Sequence, residues 1–332
     1  MSDSTKTIPI PDISDEIPDN CALIGCLSFE PRCLCIPLNI ALKASRVVMF
    51  RNKELQGDSI LRNVEVITMQ YPSSRILDVS FKKPTELANS MAKVVEELSK
   101  SYDNLMIDVT TFTHESLVML LRIVHLFHSG FKSILCVYVG ADQYSPGMKA
   151  EDTWLSKGCK DVRNIIGFPG LLRPIEKTSL VILAGFEMER ATRLIELIEP
   201  DRLILGNGID GCEEIEIDHK NHSEKMAYFQ RKFHLWQLEF KNIEHNCFDF
   251  SCKDIEQTIQ QIKNIISQRP NDNYILVPLN TKLSTIAATL VGLENRRIQL
   301  CYAIPEIYNV NNYAMPGDNV TIVDLYEFSE FQ

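Results

Sequence analysis

Apolar and polar positions follow two alternating patterns along the chain. Short runs of consecutive apolar residues, such as LVILA from Leu180 and YILVPL from Tyr274, alternate with longer stretches in which apolar residues recur every three or four positions. Continuous apolar runs are typical of strands buried on both faces of a sheet, and the longer spacing is typical of helices with one buried face. Their alternation predicts an α/β fold with a parallel, doubly wound sheet.

The predicted elements form two series. In the first half, strands are predicted near residues 22–28, 46–51, 75–81, 104–110 and 133–140, with helices near 31–43, 84–101 and 114–129. In the second half, strands are predicted near residues 179–185, 202–206, 236–241, 246–250, 274–279 and 298–303.

The two halves repeat the same local features in the same order. In each, an apolar strand is followed by a Phe-Glu pair, an Arg, a helical stretch and a second strand that begins with Arg. The matched residues are Phe29-Glu30 with Phe186-Glu187, Arg46 with Arg202, Thr111 with Thr281, and Tyr138 with Tyr302. Because self-similarity of this kind fixes an architecture, we predict two tandem Rossmann-like parallel-sheet units related by internal duplication.

The repeat divides the chain into four segments. We predict a flexible acidic tail at residues 1–20, a first Rossmann-like domain at 21–150, a connector at 151–175 and a second Rossmann-like domain at 176–332. The tail contains proline and acidic residues, and it lacks the basic start and apolar core of a secretory signal. The connector is rich in glycine and proline, which is typical of a linking segment.

Composition and charge narrow the range of functions. The net charge of −10 disfavours broad binding to duplex DNA, which needs a basic surface. No apolar run approaches the roughly 20 residues of a membrane helix, so we expect no membrane contact. Ten cysteines without an export signal predict reduced thiols in a cytoplasmic protein.

Known motifs for metals and cofactors are missing from the sequence. The cysteine pairs Cys33/Cys35 and Cys247/Cys252 lack the C-x2-C spacing of a zinc site, so we expect no metal. There is no G-x-G-x-x-G and no G-x-x-x-x-G-K-[ST], which disfavours ordinary NAD binding and P-loop ATP hydrolysis. We therefore expect no cofactor.

Polar residues follow the predicted strands at their carboxyl ends, where ligands of open parallel sheets bind. The predicted ligand-binding residues are Ser28, Arg32, Thr110, Thr111, Asp142, Tyr144, Arg190, Asn280, Thr281, Lys282, Glu306 and Tyr308. The candidate catalytic carboxylates are Glu30, Asp108 and Glu187. Structural roles are the alternative for each type, since acids favour first helical turns, threonines cap helices and tyrosines tether loops.

Two Rossmann-like units in tandem, with polar turns after the first and fourth strands, resemble the CARF and SAVED ligand-sensing domains. The turns after the fourth strands read DVTTFTH and PLNTKLS here, where CARF domains have a Gly-rich Thr-Gly-Gly-Thr type. The resemblance implies a cyclic oligonucleotide in the cleft between the units and a role in prokaryotic antiviral defence. It also implies either a separate effector protein or cleavage of the ligand by the chain itself.

Three hypotheses for the function follow. The first is a sensor that binds a nucleotide-type ligand in the cleft between the two units. The second is a hydrolase or transferase acting on a nucleotide or nucleoside, with strand-end carboxylates as acid and base. The third is a scaffold that binds a partner protein.

Overall fold

The computed structural model describes residues 4–40, 43–144, 154–185, 188–209, 230–311 and 313–332. The chain forms two compact units, of which the first comprises Met1–Trp154 with Asn309–Gln332 and the second comprises Leu155–Tyr308. The second unit is therefore inserted in sequence between two parts of the first.

The first unit is built on a seven-stranded sheet. Its strands are β1 (Thr5–Pro9), β2 (Cys21–Leu27), β3 (Ala44–Asn52), β4 (Arg75–Val79), β5 (Asn104–Asp108), β6 (Ser133–Tyr144) and β15 (Ala314–Asp324). Its helices are α1 (Cys35–Asn39), α2 (Asp58–Gln70), α3 (Pro84–Ser99) and α4 (His114–Phe127). The strand order is β1-β15-β6-β5-β2-β3-β4, and β15 is antiparallel to both of its neighbours.

The second unit is built on a six-stranded sheet. Its strands are β8 (Asp161–Pro169), β9 (Thr178–Ala184), β10 (Arg202–Gly208), β11 (Glu244–Phe250), β12 (Asn273–Pro278) and β13 (Gln299–Ile304), with a two-stranded ribbon of β7 (Ser156–Lys157) and β14 (Ile307–Tyr308). Its helices are α5 (Glu189–Ile198), α6 (230–239), α7 (Ile255–Gln268) and α8 (Lys282–Glu294). The strand order is β11-β10-β9-β12-β13-β8, with β8 antiparallel to β13.

The two sheets share one topology. When the five main parallel strands of each unit are numbered along the chain, both sheets have the order 3-2-1-4-5, and an antiparallel strand flanks the fifth. This is the strand order of a Rossmann-like fold, an open parallel sheet with crossover helices. The predicted fold of two tandem Rossmann-like units is thereby confirmed.

The antiparallel strands depart from the predicted segment boundaries. Strand β15 lies in the sheet of the first unit, although residues 176–332 were predicted as one second domain. Strand β8, within the predicted connector at 151–175, pairs with β13 in the sheet of the second unit. In both cases the fifth parallel strand needs a partner for its outer hydrogen-bonding groups, and a strand from outside the repeat supplies it.

The N-terminal segment also differs from the flexible tail predicted at residues 1–20. Residues Thr5–Pro9 pair with β15, and the side chains of Ile10, Ile13 and Ile17 are buried. These isoleucines belong to the core cluster beneath the sheet of the first unit. Burial of these spaced apolar residues holds the segment against the core of the first unit, while its acidic residues face solvent.

Two local predictions are corrected. Residues 236–241 were predicted as a strand, whereas residues 230–239 are helical and Trp236 is buried against the second unit's core. Helix α2 was not predicted at all.

No helix in the described residues is long and apolar enough to cross a membrane.

Candidate functional site

In each sheet the strand order creates a topological switch point at the carboxyl ends of the central parallel strands. This end of the sheet is called the carboxyl-end edge below. In the first unit the chain leaves β2 toward β3 on one side, while β5 pairs on the other side. In the second unit, β9 lies in the same way between β10 and β12. Crossover connections diverge at such a point and leave a crevice outside the carboxyl ends of the strands, where α/β proteins bind ligands.

The turn after β2 contains a buried ion pair. Arg32 donates from Nε to Oε2 of Glu30 at 2.8 Å and from Nη2 to the same oxygen at 2.5 Å. Its Nη1 donates to the carbonyl oxygen of Val139 in β6 at 3.3 Å. Glu30 is 7% exposed and Arg32 is 4% exposed. The ion pair therefore links the turn after β2 to strand β6, and the carboxylate of Glu30 balances the charge of Arg32.

Asn63 of α2 holds the same turn from behind. Its Nδ2 donates to the carbonyl oxygen of Ser28 at 2.8 Å and lies 3.4 Å from Sγ of Cys33. Burial raises the pKa of the Cys33 thiol to about 12, so this cysteine is not a thiolate nucleophile at neutral pH. Sequence reasoning missed Asn63 because helix α2 itself was not predicted.

Asp108 ends β5 and is buried at the switch point. One carboxylate oxygen, Oδ1, accepts the backbone N–H of Thr110 at 3.1 Å, and the residue is 2% exposed. Burial raises the pKa of this carboxyl to about 6, and the hydrogen bonds from Thr110 and the charge of Arg32 oppose that rise only in part. Near neutral pH the group can therefore both accept and release a proton.

The threonines after Asp108 connect neighbouring strands. The Thr110 hydroxyl oxygen accepts the backbone N–H of Val139 at 3.1 Å, and the Thr111 hydroxyl donates to the carbonyl oxygen of Cys26 at 2.5 Å. Thr110 is buried and Thr111 is half-buried. Both hydroxyls thus join neighbouring strands at this end of the sheet, and Thr111 stays partly exposed.

Each helix after the fourth parallel strand begins with the same capping arrangement. The Thr113 hydroxyl oxygen accepts the backbone N–H of Ser116 at 3.1 Å, and the Thr281 hydroxyl oxygen accepts that of Ser284 at 3.1 Å. In both pairs the serine hydroxyl donates back to the threonine carbonyl. By its capping role, Thr281 corresponds to Thr113. From the sequence, Thr281 was matched with Thr111 instead. The repeated T-x-x-S spacing was the sequence signal for this cap.

Aromatic side chains line the edge beside the ion pair. The guanidinium carbon of Arg32 lies 5.9 Å from the ring centroid of Tyr144, at the end of β6. Phe29 and Tyr313 form an edge-to-face contact with centroids 5.6 Å apart. Tyr144 and Tyr313 are half-buried, and the neighbouring Asp142 is exposed. Burial raises the pKa of the Tyr144 hydroxyl well above its usual range, so it stays protonated.

In the second unit, Arg190 occupies a position like that of Arg32. It is 8% exposed, and its Nη1 donates to the carbonyl oxygen of Ala303 in β13 at 3.3 Å. Val139 and Ala303 each follow the tyrosines that were matched in sequence, Tyr138 and Tyr302. The candidate carboxylate Glu187 lies outside the described residues.

The turn after β12 lacks a counterpart of Asp108, because Pro278 ends that strand. Asn280 donates from Nδ2 to the carbonyl oxygen of Ala184 at 2.5 Å, and its Oδ1 accepts the backbone N–H of Thr281 at 2.8 Å. Lys282 is half-buried at the first position of α8, whose first turn contains no acidic residue. This edge therefore carries a positive side chain without a carboxylate in the same turn.

The remaining predicted residues of the second unit lie near β14. Glu306 is exposed, and the Tyr308 hydroxyl lies 3.3 Å from the hydroxyl of Tyr302.

Among the described residues, no group of three or more His, Cys, Asp or Glu side chains could hold a metal ion.

The structure thus brings most predicted residues of the first unit to one edge. Those that meet around the β2 and β5 turns are Ser28, Glu30, Arg32, Asp108, Thr110, Thr111 and Tyr144. Those near the β9 and β12 turns are Arg190, Asn280, Thr281 and Lys282. The cavity predicted to be shared by both sets stays a prediction.

Comparisons with known proteins identify no family for this chain. No protein-family model and no curated protein matches the chain. Among solved structures, the chain is similar to a leucoanthocyanidin reductase–NADPH complex from Vitis vinifera (6% identity, 83% of this chain and 88% of that chain, TM-score 0.28). It is also similar to the cytoplasmic domain of a prokaryotic cation chloride cotransporter (10% identity, 88% and 98%, TM-score 0.25).

A third similarity is to spermidine synthase from Thermotoga maritima, with 11% identity and a TM-score of 0.23. The match covers 40% of this chain and spans only 40% of the length of that synthase. All three similarities are weak, and the fold described above rests on the strand order of the two sheets.

Proposed function

We propose that the chain is a binding protein for a nucleotide-type ligand, held at the carboxyl ends of its parallel strands. The observation that carries the proposal is the switch point of each unit, at which polar side chains from two turns converge. In the first unit these are the turns that hold Glu30, Arg32 and Asp108. Crevices of this kind bind nucleotides in many α/β proteins because backbone N–H groups and helix N-termini face the ligand.

The second unit supports an anionic ligand group. Lys282 stands at the start of the thirteen-residue helix α8, where the helix dipole adds to its positive charge. No acidic residue in that first turn opposes it. A lysine at a helix N-terminus favours binding of a phosphate at this position.

The resemblance to CARF and SAVED domains extends the proposal. On this reading the ligand is a cyclic oligonucleotide, the protein is a cytoplasmic sensor in antiviral defence, and binding is transmitted to a separate effector protein. This part rests on the sequence resemblance alone.

Substitution of Lys282 tests the proposal. Calorimetric titration of the full chain with adenosine monophosphate, ATP and cyclic dinucleotides should detect binding, and Lys282→Ala should weaken it by roughly 1.5–3 kcal/mol, the range for hydrogen bonds to charged groups. Lys177→Ala removes the same charge from an exposed site at the amino end of β9, and it should leave affinity unchanged. Equal losses in both variants, or no binding of any nucleotide at millimolar concentration, would reject the proposal.

Arg32, Glu30 and Arg190 are poor positions for such a test. Each is less than 9% exposed and bonded within its unit, and removal of one partner of a buried ion pair costs about 3–5 kcal/mol of stability. A loss of binding in those variants would not separate a ligand contact from a damaged fold.

The buried carboxyl of Asp108 favours a second candidate, an enzyme acting on a nucleotide or nucleoside. A carboxyl with a pKa raised to about 6 can exchange a proton near neutral pH, which suits a general acid or base. In that case the wild-type protein should convert a bound nucleotide to product, and Asp108→Asn should abolish the conversion. Recovery of all nucleotide unchanged after long incubation argues for the binding protein.

A further inference from the structure

The first unit offers a planar ligand two kinds of contact at one edge. Tyr144 and Tyr313 present half-buried aromatic rings, and residue 144 pairs directly with residue 314 across β6 and β15. Phe29 packs edge-on against Tyr313 at 5.6 Å and fixes that ring. Aromatic rings held in place by packing are suited to stacking on a base, which contributes about 1–3 kcal/mol per base.

The same edge is poorly suited to phosphate. The short 3-10 helix that follows the turn after β2 begins with Pro31, which has no backbone N–H to donate, and the next helix, α1, has only five residues. The cation of this turn, Arg32, is already paired with Glu30 and bonded to the carbonyl of Val139. A phosphate at this turn would meet the carboxyl of Asp108 as well, and the charge of Arg32 is already balanced by Glu30.

The carboxylates of Asp108 and Glu30 are the acceptors at this edge. Asp108 accepts hydrogen bonds from the backbone N–H and the side chain of Thr110, the first of them at Oδ1, and the Glu30 contacts with Arg32 all involve Oε2. A carboxylate accepts hydrogen bonds through both of its oxygens. The ligand group that suits this edge therefore donates hydrogen bonds and carries no negative charge.

We propose that the carboxyl-end edge of the first unit recognises the base of an amino-substituted nucleoside and does not hold a phosphate. The ring stacks against Tyr144 and Tyr313, and the exocyclic amine donates to Asp108. This inference rests on the proposed function, because it assigns the base of the nucleotide-type ligand to the first unit.

Calorimetric titration of the full chain with adenosine, inosine and inorganic phosphate tests the inference. Inosine carries a carbonyl where adenosine carries the amine. We expect adenosine to bind roughly tenfold tighter than inosine in the same orientation, since inosine places a carbonyl oxygen where the amine would donate and its only donor on that edge is the neighbouring N1–H. Inorganic phosphate at millimolar concentration should not displace adenosine.

Three variants locate the contact. Asp108→Asn should abolish or reverse the preference for adenosine, because an amide can donate to the inosine carbonyl. Asp103→Asn makes the same change just before the amino end of the same strand, where the side chain is 45% exposed, and the preference should persist. Tyr313→Leu should weaken adenosine and inosine alike, by roughly tenfold or more.

The outcomes separate this inference from the proposal beneath it. Binding of adenosine monophosphate without binding of adenosine would overturn the inference and leave the proposed function standing. An unchanged preference in Asp108→Asn, or competition between phosphate and adenosine, would overturn it in the same way. Absence of binding by every nucleoside and nucleotide would reject both.

Discussion

Replacement of Asp108 by Asn should change how the stability of the first unit depends on pH. The carboxyl is 2% exposed, and burial raises its pKa from 3.8 to about 6. The folded state therefore holds the proton more tightly than the unfolded state does. Stability from this group is fully present below the unfolded pKa and is lost as the pH rises through the folded value. An amide at the same position has no proton to lose.

The size of the effect follows from those two pKa values. A shift of one unit corresponds to about 1.4 kcal/mol, so ionisation of the buried carboxyl costs roughly 3 kcal/mol in all. Integrated between pH 8 and pH 5, the wild type should gain about 1.4 kcal/mol that the Asn variant does not gain. Asn also keeps an oxygen that can accept the N–H of Thr110. The variant should thus exceed the wild type in stability most clearly at pH 8.

Urea unfolding at pH 5 and pH 8 measures this difference, and hydrogen exchange of peptides from β2 and β5 assigns it to the first unit. All other carboxyls titrate in both proteins and cancel in the comparison. Asp103→Asn serves as a control, because contacts with Asn20 and Lys132 lower the pKa of that exposed carboxyl and it stays ionised over this range. A wild-type-minus-variant difference that stays constant from pH 5 to pH 8 would refute the reasoning.

Two further predictions concern the fold. Thr113→Ala and Thr281→Ala should each cost about 1 kcal/mol, the usual loss for a helix N-cap, when unfolding is followed in urea; no change in either would contradict the matched caps. Deletion of residues 314–332 should remove β15 from between β1 and β6, so that β6 peptides exchange faster while β9 and β12 peptides keep their protection. Equal loss of protection in both units would contradict the assignment of β15 to the first.

The central parallel strands could be predicted from the sequence because they are continuous apolar runs, whereas the outer strands β4 and β11 are more polar. It could not show which sheet the last strand joins. Residues 314–324 include Pro316 and Gly317, and only pairing with β6 reveals their place. The strand expected over 236–241 is part of a helix. Trp236, Leu238 and Phe240 alternate as in a strand, but Phe233, Trp236 and Phe240 are spaced by three and four residues as in a helix.

The sequence was enough to predict where the candidate site lies, but not which hydrogen bonds its residues make. Strand ends could be located from the apolar runs, so Glu30, Arg32 and Asp108 were expected at one edge. Arg32 is bonded to Glu30 two residues away, but its bond to Val139 joins residues 107 positions apart, which no local pattern encodes. The role of Asn63 is hidden for the same reason, since it acts from a helix that packs behind the turn.

The central claim is that a nucleotide-type ligand binds at the carboxyl ends of the strands, and hydrogen exchange with mass spectrometry tests it most directly. The full chain is compared with and without adenosine monophosphate at millimolar concentration. We predict slower exchange in peptides covering residues 28–34, 108–114 and 279–284, with no change at the amino ends of the same strands. Protection confined to the amino ends, or no protection anywhere, would contradict the account.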